Sequence, residues 1–343
     1  MLEQKNKQPF FSVLVPVYNG ALFVSKCIDS ILSQTFKDFE LIVCDDASTD
    51  KTPEILKEYQ AKDSRVQILS HDNNKRALIT RNDLIRAAAG KYCILADADD
   101  ELLPDYLERA NQILIKKHYD IIQFSYLTAG TNSTAIKNLG NYSDEEYFHD
   151  EILKRYLFGF PSFMVPFAKV FDREMLLKSL PEDRVLPFID DIPLTIRAAF
   201  YAKSFLSLKE KKYIFHYGSG RFSKQKWDLQ NIQDFCKSSA DISKEFLHFS
   251  EKNRISIEYS RKLEEMFADN LFIHVENLDP SDKADALRSY LQYFDGRRYL
   301  KDFVIVNKNL PLSAFIKYFR TFSFMFLKRT FLRIIGKKKW GEP

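Results

Sequence analysis

FSVLVPVYNG, residues Phe11 to Gly20, is a continuous apolar and β-branched run stopped by the turn residues Asn19 and Gly20, and it predicts a buried strand followed by a loop. In the next segment, Leu22 to Gln34, the apolar residues Phe23, Cys27, Ile28, Ile31 and Leu32 recur on a helical period. FELIVCDDASTD (Phe39 to Asp50) repeats the design: an apolar strand, then Asp45 and Asp46, then Ser48, Thr49 and Asp50 as cap candidates for a helix from about Pro53 to Ala61. A third strand (Arg65 to Ser70), a helix (about Ile79 to Ala89) and a fourth strand (Tyr92 to Ala96) continue the alternation. Strands alternating with helices of this length predict an α/β fold, with a mostly parallel, Rossmann-like sheet covered by helices on both faces.

In open sheets of this kind ligands bind beyond the carboxyl ends of the strands. Polar clusters fall at such ends at Pro16 to Asn19, Asp45 to Ser48 and Asp97 to Asp100. The last closes the run CILADADDELLPD (Cys93 to Asp105), where an apolar stretch meets Asp97, Asp99 and Asp100. Carboxylates leaving a strand end suit a divalent cation that carries a phosphorylated ligand. Asp100 equally suits the N-cap of a helix beginning near Pro104.

The chain has 343 residues, enough for one large or two smaller domains, and 45% apolar with 29% charged residues is a globular composition. A net charge of +4 gives no sign of a nucleic-acid partner, although basic residues accumulate at the C-terminus. Cys27, Cys44, Cys93 and Cys236 lie far apart with no Cys-x-x-Cys pair, and no secretory signal precedes them. Zinc and disulfide frameworks are therefore not expected, and buried thiols in a reducing cytosol fit better.

The ordered series VPVYN, DDASTD, RN before a helix ending AAAGKY, and DADD resembles the family 2 glycosyltransferases with the GT-A fold, over roughly the first third of the chain. That resemblance implies transfer of a sugar from a nucleotide diphosphate donor to an acceptor hydroxyl, with inversion at the anomeric carbon. It places Pro16, Val17, Tyr18 and Asn19 along the nucleotide, and Asp46 as acceptor of a hydrogen bond from the base. Arg81 would meet the nucleotide or its phosphates. Asp97 and Asp99 match the DxD motif, with Asp99 or Asp100 as direct ligand of Mn²⁺ or Mg²⁺, ions held by a few carboxylates plus substrate phosphates. The family usually has Gly where this chain has Ala47.

Further on, PFAKVFDREMLLKS (Pro166 to Ser179) and PFIDDIPLTIRAAFYAKS (Pro187 to Ser204) resemble the segment after the acceptor-side strand and the family's ED motif with its helix. Asp190 stands where Glu is usual, as an orienting partner, and Asp191 would be the general base toward the acceptor hydroxyl. The plainer reading makes both an N-terminal cap for a helix from Pro193 to Ala202. KKYIFHYGSGRFS (Lys211 to Ser223) resembles the strand and loop that close the donor site, which brings His216 toward metal or phosphate and Arg221 toward phosphate, against the simpler readings of a packed histidine and a solvated arginine.

From about Lys224 the strand alternation gives way to helical patterns such as Tyr259, Leu263, Met266, Phe267, Leu271 and Val275. The expected division is a catalytic domain at residues 1–225 and a helical domain at 226–343. The Phe-rich, basic stretch Ser313 to Trp340 suits a surface helix at an anionic membrane, where each basic residue contributes about 1 kcal/mol, or a packed helix in a homodimer interface. Together these features lead to an expected inverting glycosyltransferase using a nucleotide sugar, with a UDP-linked donor favoured and a glycan or lipid-linked glycan as acceptor in bacterial surface glycan synthesis. The expected location is cytoplasmic, peripheral at the inner face of the cell membrane. Rival readings are a sugar-phosphate nucleotidyltransferase, against which VPVYNGALF offers no Gly-rich basic loop, and a non-catalytic carbohydrate-binding or scaffold protein.

Overall fold

A computed structural model describes residues 8–130, 136–140, 142–158, 164–217 and 227–275, with positions 278, 282, 285, 286 and 289. Arg221, the loop around it and the basic stretch Ser313 to Trp340 lie outside the described residues. The elements in chain order are β1 (Phe11–Val17), α1 (Val24–Leu32), β2 (Phe39–Asp45), α2 (Thr52–Lys62), β3 (Val66–Ser70) and α3 (Arg76–Ala87). There follow β4 (Tyr92–Leu95), β5 (Glu101–Leu102), α4 (Tyr106–Leu114), β6 (Ile121–Gly130), β7 (Ile136–Gly140), β8 (Glu145–Phe148) and α5 (Asp150–Phe158). After these come β9 (Lys169–Asp172), α6 (Arg173–Lys178), α7 (Ile192–Tyr201), β10 (Ser204–Tyr217), α8 (Leu229–Lys252) and α9 (Ile257–Val275).

The alternation read from the sequence is the observed fold: an α/β architecture with a mostly parallel central sheet, flanking helices and C-terminal helices. Across the sheet the order is β3-β2-β1-β4-β9-β6-β10-β5, with β7 on β6 and β8 on β10. The run β3-β2-β1-β4 is parallel, β9 lies antiparallel between β4 and β6, and β10 is parallel to β6. Every residue of β2 is buried and β1 is buried except at Pro16, as expected for strands with helices on both faces. The helix expected from Ile79 starts instead at Arg76, because the Asp46 carboxylate accepts the amides of Lys75 and Arg76 and so holds the first turn from outside the helix.

The chain divides into two compact units, Met1–Leu186 with Asp190–Gln225, and Pro187–Ile189 with Lys226–Pro343. In the second, the Asp228 side chain accepts from the Asn231 amide (2.8 Å) and starts α8. Phe235 of α8 meets Phe267 of α9, and Leu263, Phe267 and Leu271 are buried at the fourfold spacing read from the sequence. Trp227 packs on Phe235 and Phe188. Among the described residues no helix is long and apolar enough to cross a membrane, and the four cysteines are free and buried.

The amino ends of the strands are tied by a buried network. Ser12 Oγ donates to Glu40 Oε1 (2.5 Å), the Ala89 amide to the same oxygen (2.7 Å), and the Gly90 amide to Ser12 Oγ (2.7 Å). A Cβ on Gly90 would stand 2.5 Å from the Ser12 nitrogen, a backbone atom that cannot swing away. Gly90→Ala is therefore expected to lower unfolding free energy by about 2 kcal/mol, within the usual range for overpacking, read as a lower denaturant midpoint with unchanged slope. A midpoint equal to wild type would show that the β1 edge yields freely.

Candidate active site

The parallel register sets the carboxyl ends of β1, β2 and β4 side by side: Val17 is opposite Asp45, and Leu14 is opposite Leu95. The β1–α1 and β2–α2 loops are then pinned together. The Asn19 amide donates to Ser48 Oγ (2.8 Å), the Thr49 amide to Asn19 Oδ1 (2.7 Å), and the Gly20 amide to Thr52 Oγ1 (2.8 Å). Of the three cap candidates in this loop, Asp50 does accept the Thr52 amide (2.9 Å), while Ser48 and Thr49 join the loops instead. Asn19 (φ 52°) and Ala47 (φ 61°) both take left-handed backbone, which explains why glycine is the usual residue at position 47. Val17 is buried, Pro16 half-buried, and Tyr18 is 37% exposed beside this loop pair, open to stacking.

Asp46 is 4% exposed and its carboxylate already holds three donors. Oδ1 lies 2.7 Å from His71 Nδ1 and accepts the Lys75 amide (2.8 Å), and Oδ2 accepts the Arg76 amide (2.9 Å). Of about four lone-pair positions on an ionised carboxylate, one is left for a ligand N–H.

Arg81, on α3, joins two carboxylate groups far apart in sequence. Nη2 lies 3.2 Å from Asp97 Oδ1 and Nη1 3.1 Å from Asp190 Oδ2, and the side chain is 11% exposed. Burial works against its charge, but Asp190, Asp97 and Asp191 outweigh burial and hold the guanidinium well above its usual pKa. Asp191 occupies the N-cap position of α7, yet its side chain makes no capping hydrogen bond; its carbonyl accepts from the Thr195 amide (3.1 Å). The capping reading thus describes its place and leaves its carboxylate for other use. Burial first, then Asp190, push the Asp191 carboxyl up to about 6, against the lowering pull of Arg81. Ile189, just before the pair, has φ 51°, strained backbone for a β-branched residue and of a kind that clusters at functional sites.

The three strand-end aspartates have separate surroundings. Asp97 faces Arg81, and Asp99 is half-buried. Asp100 is 1% exposed: Oδ2 accepts from Tyr213 Oη (2.8 Å) and Oδ1 from the His216 amide (2.8 Å). Burial, then Asp97 and Asp99, hold its carboxyl well above the normal range. The helix that Asp100 could have capped begins at Tyr106 with Asp105 before it, so that reading is corrected: Asp100 joins β10 to the strand end. Register shifts in β10 on both sides of Lys211 are the bulges that aim Tyr213 here. His216 likewise shows a use other than the expected one, with Nε2 2.5 Å from Glu101 Oε1, an oxygen that also meets Lys26 Nζ (2.7 Å). Glu101 is drawn down by these partners against its own burial.

Reasoning from sequence passed over His71, Asp83, Tyr213 and Lys169. The strand-end rule could have found His71, which is the first residue beyond β3. Lys169 gave no such signal; it is fully buried on β9, with Nζ 2.5 Å from the Val165 carbonyl, and burial lowers its pKa well below the usual range against the raising influence of Asp191.

A parallel β3-β2-β1-β4 run with aspartates at the ends of β2 and β4 is common to nucleotide-binding α/β folds, and comparison with known proteins makes the class GT-A. The model for "Glycosyl transferase family 2" matches residues 12–180. The chain belongs to the family 2 glycosyltransferases. Among its relatives, the glycosyltransferase GlyG of Streptococcus pneumoniae is 26% identical over 233 residues, 66% of this chain and 77% of that protein. TuaG of Bacillus subtilis, a glycosyltransferase named for teichuronic acid biosynthesis, is 28% identical over 160 residues, 47% of this chain and 63% of that one. EpsE of Bacillus subtilis is 40% identical over 119 residues, 34% and 43% of the two chains, so this chain spans less than two thirds of two of these three relatives. In fold it is similar to residues 1–349 of S. aureus TarS, solved in complex with UDP-GlcNAc, at TM-score 0.63 and 21% identity over 89% of this chain and 82% of that one.

Proposed function

We propose that this chain is an inverting glycosyltransferase that moves a sugar from a UDP-linked donor to an acceptor hydroxyl during synthesis of a bacterial surface glycan. The observation that carries this reading is the Arg81 bridge, which sets the strand-end carboxylates and the Asp190–Asp191 pair about one guanidinium. The UDP-GlcNAc complex of TarS and the surface-glycan name of TuaG support the donor and the setting.

In this mechanism Tyr18 stacks on the base, Asp46 accepts its N–H, and Asp191 takes the proton of the acceptor hydroxyl as that oxygen attacks the anomeric carbon. Asp190, held by Arg81, orients Asp191. Position matters more than resting basicity, because the hydroxyl becomes acidic only as it attacks.

Asp97, Asp99 and Asp100 stand within four residues, and burial together with the Asp97 and Asp99 charges holds the Asp100 carboxyl well above the normal range, so the cluster lacks positive charge that a divalent cation would supply. Among the described residues no group of three or more ligands is preassembled, so Mg²⁺ or Mn²⁺ would complete its shell from phosphates and water. Asp99 or Asp100 would hold the ion, since the two hydrogen bonds on Asp100 leave a lone pair on each of its oxygens. When bound, it would offset the charge that gathers on the departing diphosphate.

The test is incubation with a panel of UDP-, GDP- and TDP-sugars plus Mn²⁺, with and without EDTA. UDP release that chelation lowers at least tenfold is expected. Pyrophosphate release instead would favour a nucleotidyltransferase, and failure to bind or turn over any nucleotide sugar would favour a non-catalytic role.

A further inference from the structure

His71 stands between two carboxylates. Nδ1 is 2.7 Å from Asp46 Oδ1, Nε2 is 3.2 Å from Asp83 Oδ2, and Cys44 Sγ is 3.6 Å from the same Nε2. Its side chain is 7% exposed, that of Asp46 5% and that of Asp83 29%. The backbone fixes the ring's place, because the His71 amide donates to the Asp45 carbonyl (2.9 Å) and so extends the β2–β3 pairing by one step. Asp83, on α3, is braced in turn by Arg86 Nη1 (2.9 Å) and Lys75 Nζ (3.6 Å).

An ionised carboxylate only accepts hydrogen bonds, so a ring flanked by two of them is held in one plane and cannot flip to an equivalent arrangement without losing partners. With the Lys75 and Arg76 amides on the other positions, the ring completes a cradle that fixes the rotation of the Asp46 carboxylate and leaves it room for one incoming donor. A buried carboxylate with a single open acceptor position suits a base that presents one ring N–H, as uracil does, and disfavours cytosine, whose corresponding ring nitrogen is itself an acceptor.

We propose that Asp83, His71 and Asp46 form a positioning relay in which His71, braced by Asp83, orients the Asp46 carboxylate for the nucleotide base and so sets base preference. This rests on the nucleotide-sugar reading of the site. His71 is a positioning residue: it acts through Asp46 and does not touch the ligand.

The experiment is calorimetric titration of UDP and CDP into the full chain as wild type, His71→Ala, His71→Asn and Asp83→Asn, with the thermal midpoint of each recorded. Wild type is expected to prefer UDP. His71→Ala should weaken UDP binding by about tenfold and CDP binding far less, so the preference collapses. His71→Asn keeps a side-chain N–H for Asp46 and should restore most of the affinity, and Asp83→Asn should weaken UDP by a few-fold. If His71→Ala does not fold, the Asn variants carry the test through the same UDP-to-CDP ratio. UDP and CDP affinities that fall together, or a UDP affinity within twofold of wild type in every variant that folds, would overturn the relay while leaving the nucleotide site standing. A wild-type protein that binds no uridine nucleotide would overturn the underlying reading and the relay with it.

Discussion

Asp191→Asn is expected to reduce sugar transfer by on the order of 10³-fold while UDP binding stays within twofold of wild type. The amide keeps the shape and place of the carboxylate at the start of α7 but cannot take a proton from the acceptor hydroxyl. Asp191 makes no side-chain cap, so the helix loses nothing by the exchange. Burial first, then Asp190, push the wild-type carboxyl from its ordinary 3.8 up to about 6 against the pull of Arg81. The working form is ionised, so the acid limb of transfer against pH should rise through about 6, later than an unperturbed aspartate would allow. The stability consequence has the opposite sense. A carboxyl with a raised folded-state pKa favours the fold below its unfolded value, and that contribution is lost as pH climbs through about 6. At neutral pH the Asn variant should therefore be no less stable than wild type, with a gain on the order of 1 kcal/mol in chemical denaturation. Wild-type transfer rates in the variant would remove Asp191 from the proton-accepting role. Loss of UDP binding along with transfer would show that it serves the donor instead.

Arg81→Met should cost about 3 kcal/mol of stability and lower transfer by on the order of 10²-fold. Removing one partner of a buried ion pair leaves the other charge without compensation, typically at about 3–5 kcal/mol. The lower end applies because Asp97 and Asp190 keep 30% and 22% of their side-chain surface in water. Arg81 also lowers the Asp191 carboxyl, so any residual activity should show its acid limb displaced above a pH of about 6. Arg81→Lys tests the geometry separately. One ammonium keeps the charge but has no planar fork to meet Asp97 and Asp190 together, so stability should recover more than activity does. If the lysine variant transfers at the wild-type rate, charge alone is sufficient and the bridging geometry carries no function.

What the residues predict well is whatever local patterning controls. The mainly apolar runs of β1, β2 and β4 are buried strands, because helices on both faces of the sheet hide segments of seven, seven and four residues. Their parallel order then forces Tyr18, Asp46 and Asp97 toward one end of the sheet, which is why a strand-end rule applied to sequence alone found them. The Leu263, Phe267 and Leu271 spacing fixed one face of α9 in the same way.

What local patterning could not decide is which partner each polar side chain takes, because partners 16 to 116 residues away meet only once the sheet closes. Asp100 looks like a cap or a metal ligand in isolation. Tyr213 and the His216 amide, aimed by bulges in β10, each donate to one of its oxygens, a pairing no local pattern announces. His216 looks like a phosphate contact, and its ring is 2.5 Å from Glu101. His71 was invisible as a site residue until the β2–β3 pairing placed it 2.7 Å from Asp46. The sequence by itself determined the α/β class, the strand ends and the identity of the carboxylates, since each follows from backbone burial and period. Only the tertiary structure decided that Arg81 ties Asp97 to Asp190, because an ion pair in a low-dielectric interior depends on distances that sequence order does not contain.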